Sequence, residues 1–366
     1  MGITIAGWQQ ELIDHLGLKG IATELSLSGP ESLPRAGSEI LPGSDDAILS
    51  NARSEILPSP EDASISNKDS EIVPGSDSVI LPSAGFESLP SSDSSISLGS
   101  NSDNQESSNA AVLLRFAESP KLVLHLIPIN HNFIPADLLK LQEGFQANGQ
   151  QLIQLWEDVW LKRPAQVLSR ISAMLGKNKT VHGRKTKIIT VTQPEADSFF
   201  GQYHLQFSAK ARHRFALALD GEVVAIASFS AKRNMTRKRE GYTSVELIRF
   251  ATVDGVTVQG GLSKLIRHMI KTIQPDDVMT YADLDWSYGK GYTKLGFELT
   301  AQTPPAEIWI NTESLVRYFP QRLPEDIQLL IANLAPQEAS TLMEPLGYRL
   351  IYNTGNLKYI LYLSAE

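Results

Sequence analysis

The chain contains no cysteine. This excludes disulfides, thiolate zinc sites and thiol nucleophiles. It also lacks any apolar run approaching the ~18–20 residues that a membrane-crossing helix needs, so no membrane partner is expected. The opening residues, Met-Gly-Ile-Thr-Ile-Ala-Gly-Trp, carry no basic stretch of the secretory kind. Ala6 stands where the myristoylation pattern requires Ser or Thr. These absences together predict a cytoplasmic protein.

Charge is divided unevenly along the sequence. The formal net charge is −8, yet residues 1–110 hold four basic against seventeen acidic residues. The rest of the chain, with 29 basic and 24 acidic residues, is mildly basic. A basic body suits a polyanionic partner or cofactor.

Between residues 31 and 98 an octad repeats, with cores such as Glu39-Ile-Leu-Pro, Glu55-Ile-Leu-Pro, Glu71-Ile-Val-Pro and Glu87-Ser-Leu-Pro. Each unit offers two or three apolar residues and usually a proline, which blocks helices and removes a ladder donor. Two apolar residues in eight do not offset an ordering cost of ~1–2 kcal/mol per residue. Residues 1–110 are therefore expected to be an acidic, mostly disordered repeat tail. Within it, only Trp8 to Leu18 has apolar residues at helical spacing, as a short docking helix would.

The body reads as α/β with a mixed sheet. Residues 111–180 form a small unit: strands over Ala111–Ala117, Leu122–Ile127 and Gln151–Trp156, and helices over Pro135–Asn148 and Pro164–Leu175. Each helix opens on proline and stops at Gly149 or Gly176. Residues 181–366 form the second domain. Its order is a helix (Glu195–His204), a hairpin across Asp220-Gly221, and a strand (Val245–Val253). A glycine turn, a helix (Gly261–Ile273) and a strand (Val278–Ala282) follow. A helix (Tyr288–Leu295), strands at Phe297–Ala301 and Ile308–Asn311, and helical stretches over 312–344 come next. A closing hairpin of Arg349–Tyr352 with Lys358–Leu363 is expected across Asn353-Thr-Gly-Asn.

The glycine turn, Gln259-Gly260-Gly261-Leu262-Ser263-Lys264, lies between a strand and a helix. In that arrangement backbone N–H groups and the helix N-terminus bind phosphate. It lacks the Gly-Lys-Ser/Thr ending of a Walker loop. An ordinary turn is the competing reading.

This succession resembles the GNAT acyltransferases. That family holds the acyl-CoA pyrophosphate on an Arg/Gln-x-x-Gly-x-Gly/Ala turn, to which Gln259–Lys264 corresponds with shortened spacing. Tyr292-Thr-Lys-Leu-Gly296-Phe297 matches a later family segment whose tyrosine protonates the CoA thiolate. The resemblance implies acetyl-CoA or another acyl-CoA as cofactor. It also implies Glu246 or Asp283 as the base that takes the amine proton and Tyr292 as the acid. Glu246 has an alternative as an ion-pair partner of Arg249 or Lys264, and Tyr292 as a packing residue.

A narrower resemblance spans about 150–363. Tyr281-Ala-Asp-Leu-Asp-Trp-Ser and Gly347-Tyr348-Arg-Leu-Ile351-Tyr352-Asn-Thr-Gly355-Asn356-Leu-Lys-Tyr359 look like the C-terminal module of phage Hef-like homing endonuclease proteins. The Ala282-Asp283 segment is similar to the GNAT-like phage Mom DNA-modification protein. In those phage proteins the module follows a Vsr-like nuclease, and Gln151-Leu-Ile-Gln-Leu-Trp-Glu157-Asp158-Val-Trp160 resembles the end of one. The carboxylates that would hold Mg²⁺ earlier in the sheet are reduced here. Upstream stand only Glu118, Asp137 and Glu143, with His125 and His131. A degenerate Vsr-like unit follows, with Glu118, Glu157 and Asp158 as the set for a still-active nuclease and no metal site otherwise.

Basic residues gather at Lys177, Lys179, Arg184, Lys185 and Lys187, and again at Lys232, Arg233, Arg237, Lys238 and Arg239. The second run is the candidate surface for DNA or another nucleic acid; a solvated loop is the alternative. Three functions stay open: acyl transfer to an amine of a nucleobase or protein, DNA binding without acyl transfer, and metal-dependent cleavage.

Overall fold

Proline and glycine punctuation sets most of the elements. The computed structural model describes residues 5–28, 110–235 and 238–363. The octad repeat lies outside them.

The front sheet is built from α1 (Gly7–Leu18), β1 (Thr23–Ser28), β2 (Ala111–Phe116), β3 (Ser119–Ile127), α2 (Pro135–Ala147), β4 (Gln151–Trp156), α3 (Glu157–Lys162) and α4 (Pro164–Met174). Its order is β1-β2-β3-β4. The first two pairings are antiparallel and β3–β4 is parallel, with α2 as the crossover. Pro135 and Pro164 open α2 and α4, where a missing N–H costs nothing.

Residues 7–28 thus belong to the front sheet, although the boundary expected at residue 110 leaves them in the tail. Trp8, Leu12, Leu16 and Ile21 pack into one core with Leu114, Phe116, Leu124, Ile153 and Trp160. Ser28 and Ala111 are register partners. The repeat is therefore an insertion between two paired strands rather than a terminal tail.

The remainder runs β5 (Lys179–His182), a 3₁₀ turn (Gly183–Lys185), β6 (Lys187–Thr190), α5 (Gln193–Tyr203), β7 (His213–Leu219), β8 (Glu222–Phe229), β9 (Arg233–Asn234), β10 (Thr243–Thr252), β11 (Val256–Gln259), α6 (Gly261–Ile273), β12 (Asp277–Asp283) and α7 (Lys290–Thr293). Then come β13 (Glu298–Gln302), β14 (Glu307–Asn311), β15 (Arg317–Tyr318), α8 (Glu325–Ile331), α9 (Pro336–Met343), β16 (Tyr348–Tyr352) and β17 (Asn356–Tyr362). The large sheet has the order β13-β17-β12-β10-β8-β7-β6, with β9 beside β10. The expected helix, hairpin, strand, turn, helix, strand succession is present, and the fold is α/β with mixed sheets.

Local chemistry accounts for the joints. Thr192 and Glu195 close a capping box on α5, with the Thr192 N–H donating to the Glu195 carboxylate at 2.7 Å. Asp220 and Gly221 both have positive φ, as a two-residue hairpin turn needs. Leu265, Ile266 and Met269 of α6 pack on Leu217, Ala227, Val245 and Val278 of the sheet.

Three expectations are corrected. The closing segment is not a hairpin: β16 pairs with β14 in a small sheet, whereas β17 enters the large sheet between β12 and β13. Asn353–Gly355 crosses between the sheets, and Thr354 is held by Asp285. The glycine turn does not directly follow the strand containing Glu246. A further short strand, β11, intervenes and runs parallel to β5. The helix expected over 288–295 is one turn, because Gly289 at φ +66° starts it and Gly296 at φ +88° ends it.

The two sheets meet at the Asp283-Leu284-Asp285-Trp286 segment. Leu284 joins the core of the large sheet, and Trp286 joins the front core. The backbone N–H of Gln154 on β4 donates to the Asp285 carbonyl at 2.9 Å, and Gln142 Nε2 donates to the Leu284 carbonyl at 2.6 Å.

Candidate active site

Two parallel strands part at one end of the large sheet. β10 and β12 pair only over Ser244↔Asp277, Val245↔Val278 and Glu246↔Met279. An irregularity between Leu247 and Arg249 then turns β10 fully towards β8. β12 continues to Asp283 alongside β17. The strands therefore separate towards their C-terminal ends. A crossover between parallel strands starts at the C-terminal end of the first and returns to the N-terminal end of the second. Hence the N-terminus of α6 lies at the end where β10 and β12 have separated, the end at which open α/β sheets bind ligands.

The turn before α6 has a specific build. Gly260 is exposed at φ +73°, and a Cβ added there meets nothing within 4 Å. No side chain caps α6, and its first internal bond runs from the Lys264 N–H to the Gly260 carbonyl. The N–H groups of Gly261, Leu262 and Ser263 therefore have no acceptor within the helix. A Cβ at Gly261 would press on Val258 and Leu217 at 2.8 and 2.9 Å, so the helix start is seated tightly on the sheet.

The Gly183–Lys185 turn packs on this loop: a Cβ on Gly183 would lie 3.1 Å from the Gln259 carbonyl oxygen and 3.2 Å from the Gly261 nitrogen. Lys264 Nζ donates to the Gly183 carbonyl at 3.0 Å and to the Thr186 carbonyl. Lys264 thus anchors the neighbouring turn. Exposed Arg184 and Lys185 flank the same place.

Glu246, Asp283 and Tyr292 come to one region. The Arg249 guanidinium lies close enough to feel the charges of all three. Glu246 is half-buried and stands 3.8 Å from Arg233. The Tyr292 ring packs near Phe297 and Tyr359, with centroids at 5.7 and 5.6 Å. Beneath it, Tyr359 fills the place where a Cβ on Gly289 would sit, at 2.3–2.5 Å, so only glycine fits that corner.

Burial pushes Asp283 above the usual carboxylate range, opposed by the Asp285 N–H, which donates to it at 3.0 Å, and by nearby Arg317, Gln206 and Arg249. Burial, together with the Asp283 charge, pushes Asp285 up to about 7, against two hydrogen bonds donated by Thr354. Arg249, the sequence-based alternative partner of Glu246, is joined by residues not singled out from sequence: Arg163, Arg170, His204 and Gln206. These four are isolated in sequence, and no motif marks them.

The other candidate residues are engaged elsewhere. Lys238 Nζ pairs with Asp277 at 2.8 Å, Arg239 pairs with Asp276, and Lys232 donates to the Gln274 carbonyl at 3.0 Å. Arg237 lies outside the described residues. Of the nuclease set, Glu118 pairs with Lys177 at 2.7 Å, and Glu157 accepts the Ile129 N–H at 2.9 Å. Asp158 is held by Arg317 through two bonds of 2.6 and 2.8 Å. Among the described residues, no three His, Asp or Glu side chains gather as metal ligands. Among them, no helix is long and apolar enough to cross a membrane.

No family model and no curated protein matches the chain. Among solved structures it is similar to the ribosomal-protein-S18-alanine N-acetyltransferase from Escherichia coli, at 14% identity over 50% of this chain and 96% of that one, with a TM-score of 0.30. It is also similar to a GNAT family acetyltransferase from Elizabethkingia anophelis with acetyl-CoA bound, at 13% identity over 49% and 99%, with a TM-score of 0.28. A Bacillus subtilis acetyltransferase in complex with CoA gives 13% identity over 49% and 100%, with a TM-score of 0.28. Scores of this size assign no residue role here.

Proposed function

We propose that the protein is a GNAT-like N-acyltransferase that uses acetyl-CoA or another acyl-CoA and an amine acceptor. The observation that carries this reading is the parting of β10 and β12 at the end where the uncapped N-terminus of α6 lies. The free N–H groups of Gly261, Leu262 and Ser263 suit an anion such as a pyrophosphate, and open space beside Gly260 lets it approach. Gln259 borders that space, Lys264 braces the turn, and Arg184 and Lys185 add positive charge.

Acyl-CoA supplies an activated carbonyl. In the overall transfer the acceptor nitrogen bonds to that carbonyl carbon and the carbon–sulfur bond breaks. Asp283 takes the amine proton, as its burial favours the protonated form. Glu246, nearer the parallel-paired part of β10, serves as the alternative base or through water. Tyr292 gives its hydroxyl proton to the departing sulfur. The acceptor is a nucleobase amine or a protein amine, classes that a substrate panel separates.

The test is calorimetric titration of the full chain with acetyl-CoA, beside the variant Gly260→Asp. Aspartate tolerates positive φ better than most residues and here meets no neighbour. The variant should fold normally and lose at least about tenfold in affinity through charge repulsion. Equal affinity in both proteins, or no heat from the native chain at millimolar acetyl-CoA, overturns the reading.

A further inference from the structure

The large sheet ends on an open edge. β6 is its outermost strand and pairs with β7 alone. Beyond that pairing, the backbone of Ile188, Ile189 and Thr190 makes no hydrogen bond among the described residues. Such an edge offers its outward N–H and C=O groups to any extended chain. The charge that commonly blunts an edge is confined to Lys187 at the start of β6. The rest reads Ile188-Ile189-Thr190, β-branched throughout, and Ile189 is 40% exposed.

The same strand borders a groove of about 470 Å³ beside α5. Ile189 and Val191 of β6, Val223 and Ile226 of β8, and Phe199 and Tyr203 of α5 make its apolar lining. The register explains the hollow. Ile189, Ala216 and Ile226 stand in one row across three strands, and the middle side chain is only a methyl group. This face is opposite the one that α6 covers: Ala216 and Ile226 pack with α5, whereas their neighbours Leu217 and Ala227 pack with α6.

Both charged side chains that line the groove are carboxylates, Glu195 in the first turn of α5 and Glu222 at the start of β8. Glu195 is fixed by the Thr192 N–H and hydroxyl, which donate to it at 2.7 Å. Glu222 is exposed and has no described ion pair. Two bases share this face without lining the groove. Arg214 donates to the Val191 and Ala211 carbonyls and to Gln193, and Lys187 lies two residues before Ile189. An open strand edge and an apolar groove rimmed by carboxylates therefore meet at Ile189.

We propose that β6 and this groove dock an extended peptide segment of a partner protein, added as an outer strand of the large sheet. Main-chain bonds to the β6 edge would hold it, and every second side chain would fall on the α5 face beside Ile189. The segment carries apolar residues at those positions and a Lys or Arg towards Glu195 and Glu222. The site lies on the sheet face away from α6, so it stands apart from the transferase reading.

The experiment uses the full chain to select from a displayed library of random seven-residue segments. Enriched sequences are made as capped peptides and titrated by fluorescence anisotropy. They should alternate apolar residues and carry Lys or Arg. Ile189→Lys, a charge at an exposed edge position, should weaken them about tenfold or more. Glu222→Lys should weaken them about threefold or more. Methylating the peptide nitrogens at alternate positions removes ladder donors without altering side chains, and the register that faces β6 should lose about tenfold. Both protein variants should keep the native melting temperature, since both positions are exposed. Absence of enrichment overturns the proposal, as does binding that survives Ile189→Lys. Acidic enriched sequences, or equal affinity in Glu222→Lys, overturn the basic partner. Equal binding by peptides methylated in either register overturns strand addition. A native dimer that Ile189→Lys converts to monomer in sedimentation puts a second copy of the chain on the edge and overturns the proposal too.

Discussion

The two ends of the β10–β12 pair treat positive charge in opposite ways. At the N-terminal end, where the strands are hydrogen-bonded, every loop cation with a described ion pair has met a carboxylate of the strand start or of β10. Lys238 is on Asp277, Arg239 on Asp276, and Arg233 near Glu246. At the C-terminal end, where the strands part, Arg163, Arg170 and Arg249 gather around His204, and no described ion pair ties any of them to a carboxylate. The first arrangement spends charge on holding a loop to a strand. The second leaves guanidiniums, the exposed Arg170 among them, outside any described ion pair. A run of basic residues in sequence is thus a weaker indication of a binding surface than the pairing of those residues in space.

The largest effect expected from breaking this contrast is at the closed end. Asp277 is almost wholly buried and accepts from Lys238 at 2.8 Å and from the Tyr242 hydroxyl at 2.9 Å. Asp277→Ala removes both bonds and strands a half-buried ammonium. Because Lys238 still reaches water, the cost should fall near the lower end for such deletions, about 2 kcal/mol by chemical denaturation. A loss below about 0.5 kcal/mol would mean that the loop is held by other contacts, such as the Lys238 cation over the Tyr242 and Tyr362 rings.

A smaller effect is expected from protons at the open end. Asp285 is raised to about 7 in the folded protein. A raised carboxyl gives stability that is fully present below its unfolded value and is lost as pH rises through the folded value. Between pH 5 and 8 this group alone therefore lowers stability with increasing pH. His125 and His204, both lowered to about 4, work the other way, gaining stability up to their unfolded value. The difference between native protein and Asp285→Asn isolates the carboxyl, since the amide oxygen still accepts from Thr354. The variant should gain about 1–2 kcal/mol relative to native at pH 8 and lose that advantage at pH 5. A gap independent of pH would show that Asp285 stays ionised.

Much of the fold was legible because its signals are local. The Thr192–Glu195 capping box, the Asp220-Gly221 turn, the proline starts of α2 and α4, and the bounds of α6 can each be read within a few residues. What escaped depends on distant partners. β1 finds β2 across the whole repeat, which loop-closure entropy permits because its cost rises only logarithmically with length. β5 finds β11, and β17 separates from β16, for reasons that lie in other strands. The site divides in the same way. Glu246, Asp283, Tyr292 and the glycine turn were visible through spacing and resemblance. Arg163, Arg170 and His204 were not, since single residues scattered along the chain make no pattern. The dense run at 232–239 has the look of a binding surface in sequence, yet its counter-charges, Asp276 and Asp277, stand far along the chain.

The smallest expected effect is the sharpest test of the contrast. Arg170→Gln deletes a charge that has no described partner, so its stability should stay within about 0.5 kcal/mol of native. The Asp283 charge that Arg170 feels favours the guanidinium, so its deletion pushes the sign towards a small loss. That attraction is screened by salt, whose Debye length shrinks from roughly 10 Å at 0.1 M to 3 Å at 1 M. Any loss should therefore be present in dilute buffer and vanish at 1 M sodium chloride, as read by denaturation at both concentrations. A loss of more than about 1 kcal/mol at low salt would instead class Arg170 with Lys238 as a cation held for stability. The open end would then be neutralised as the closed end is, and the difference between them would disappear.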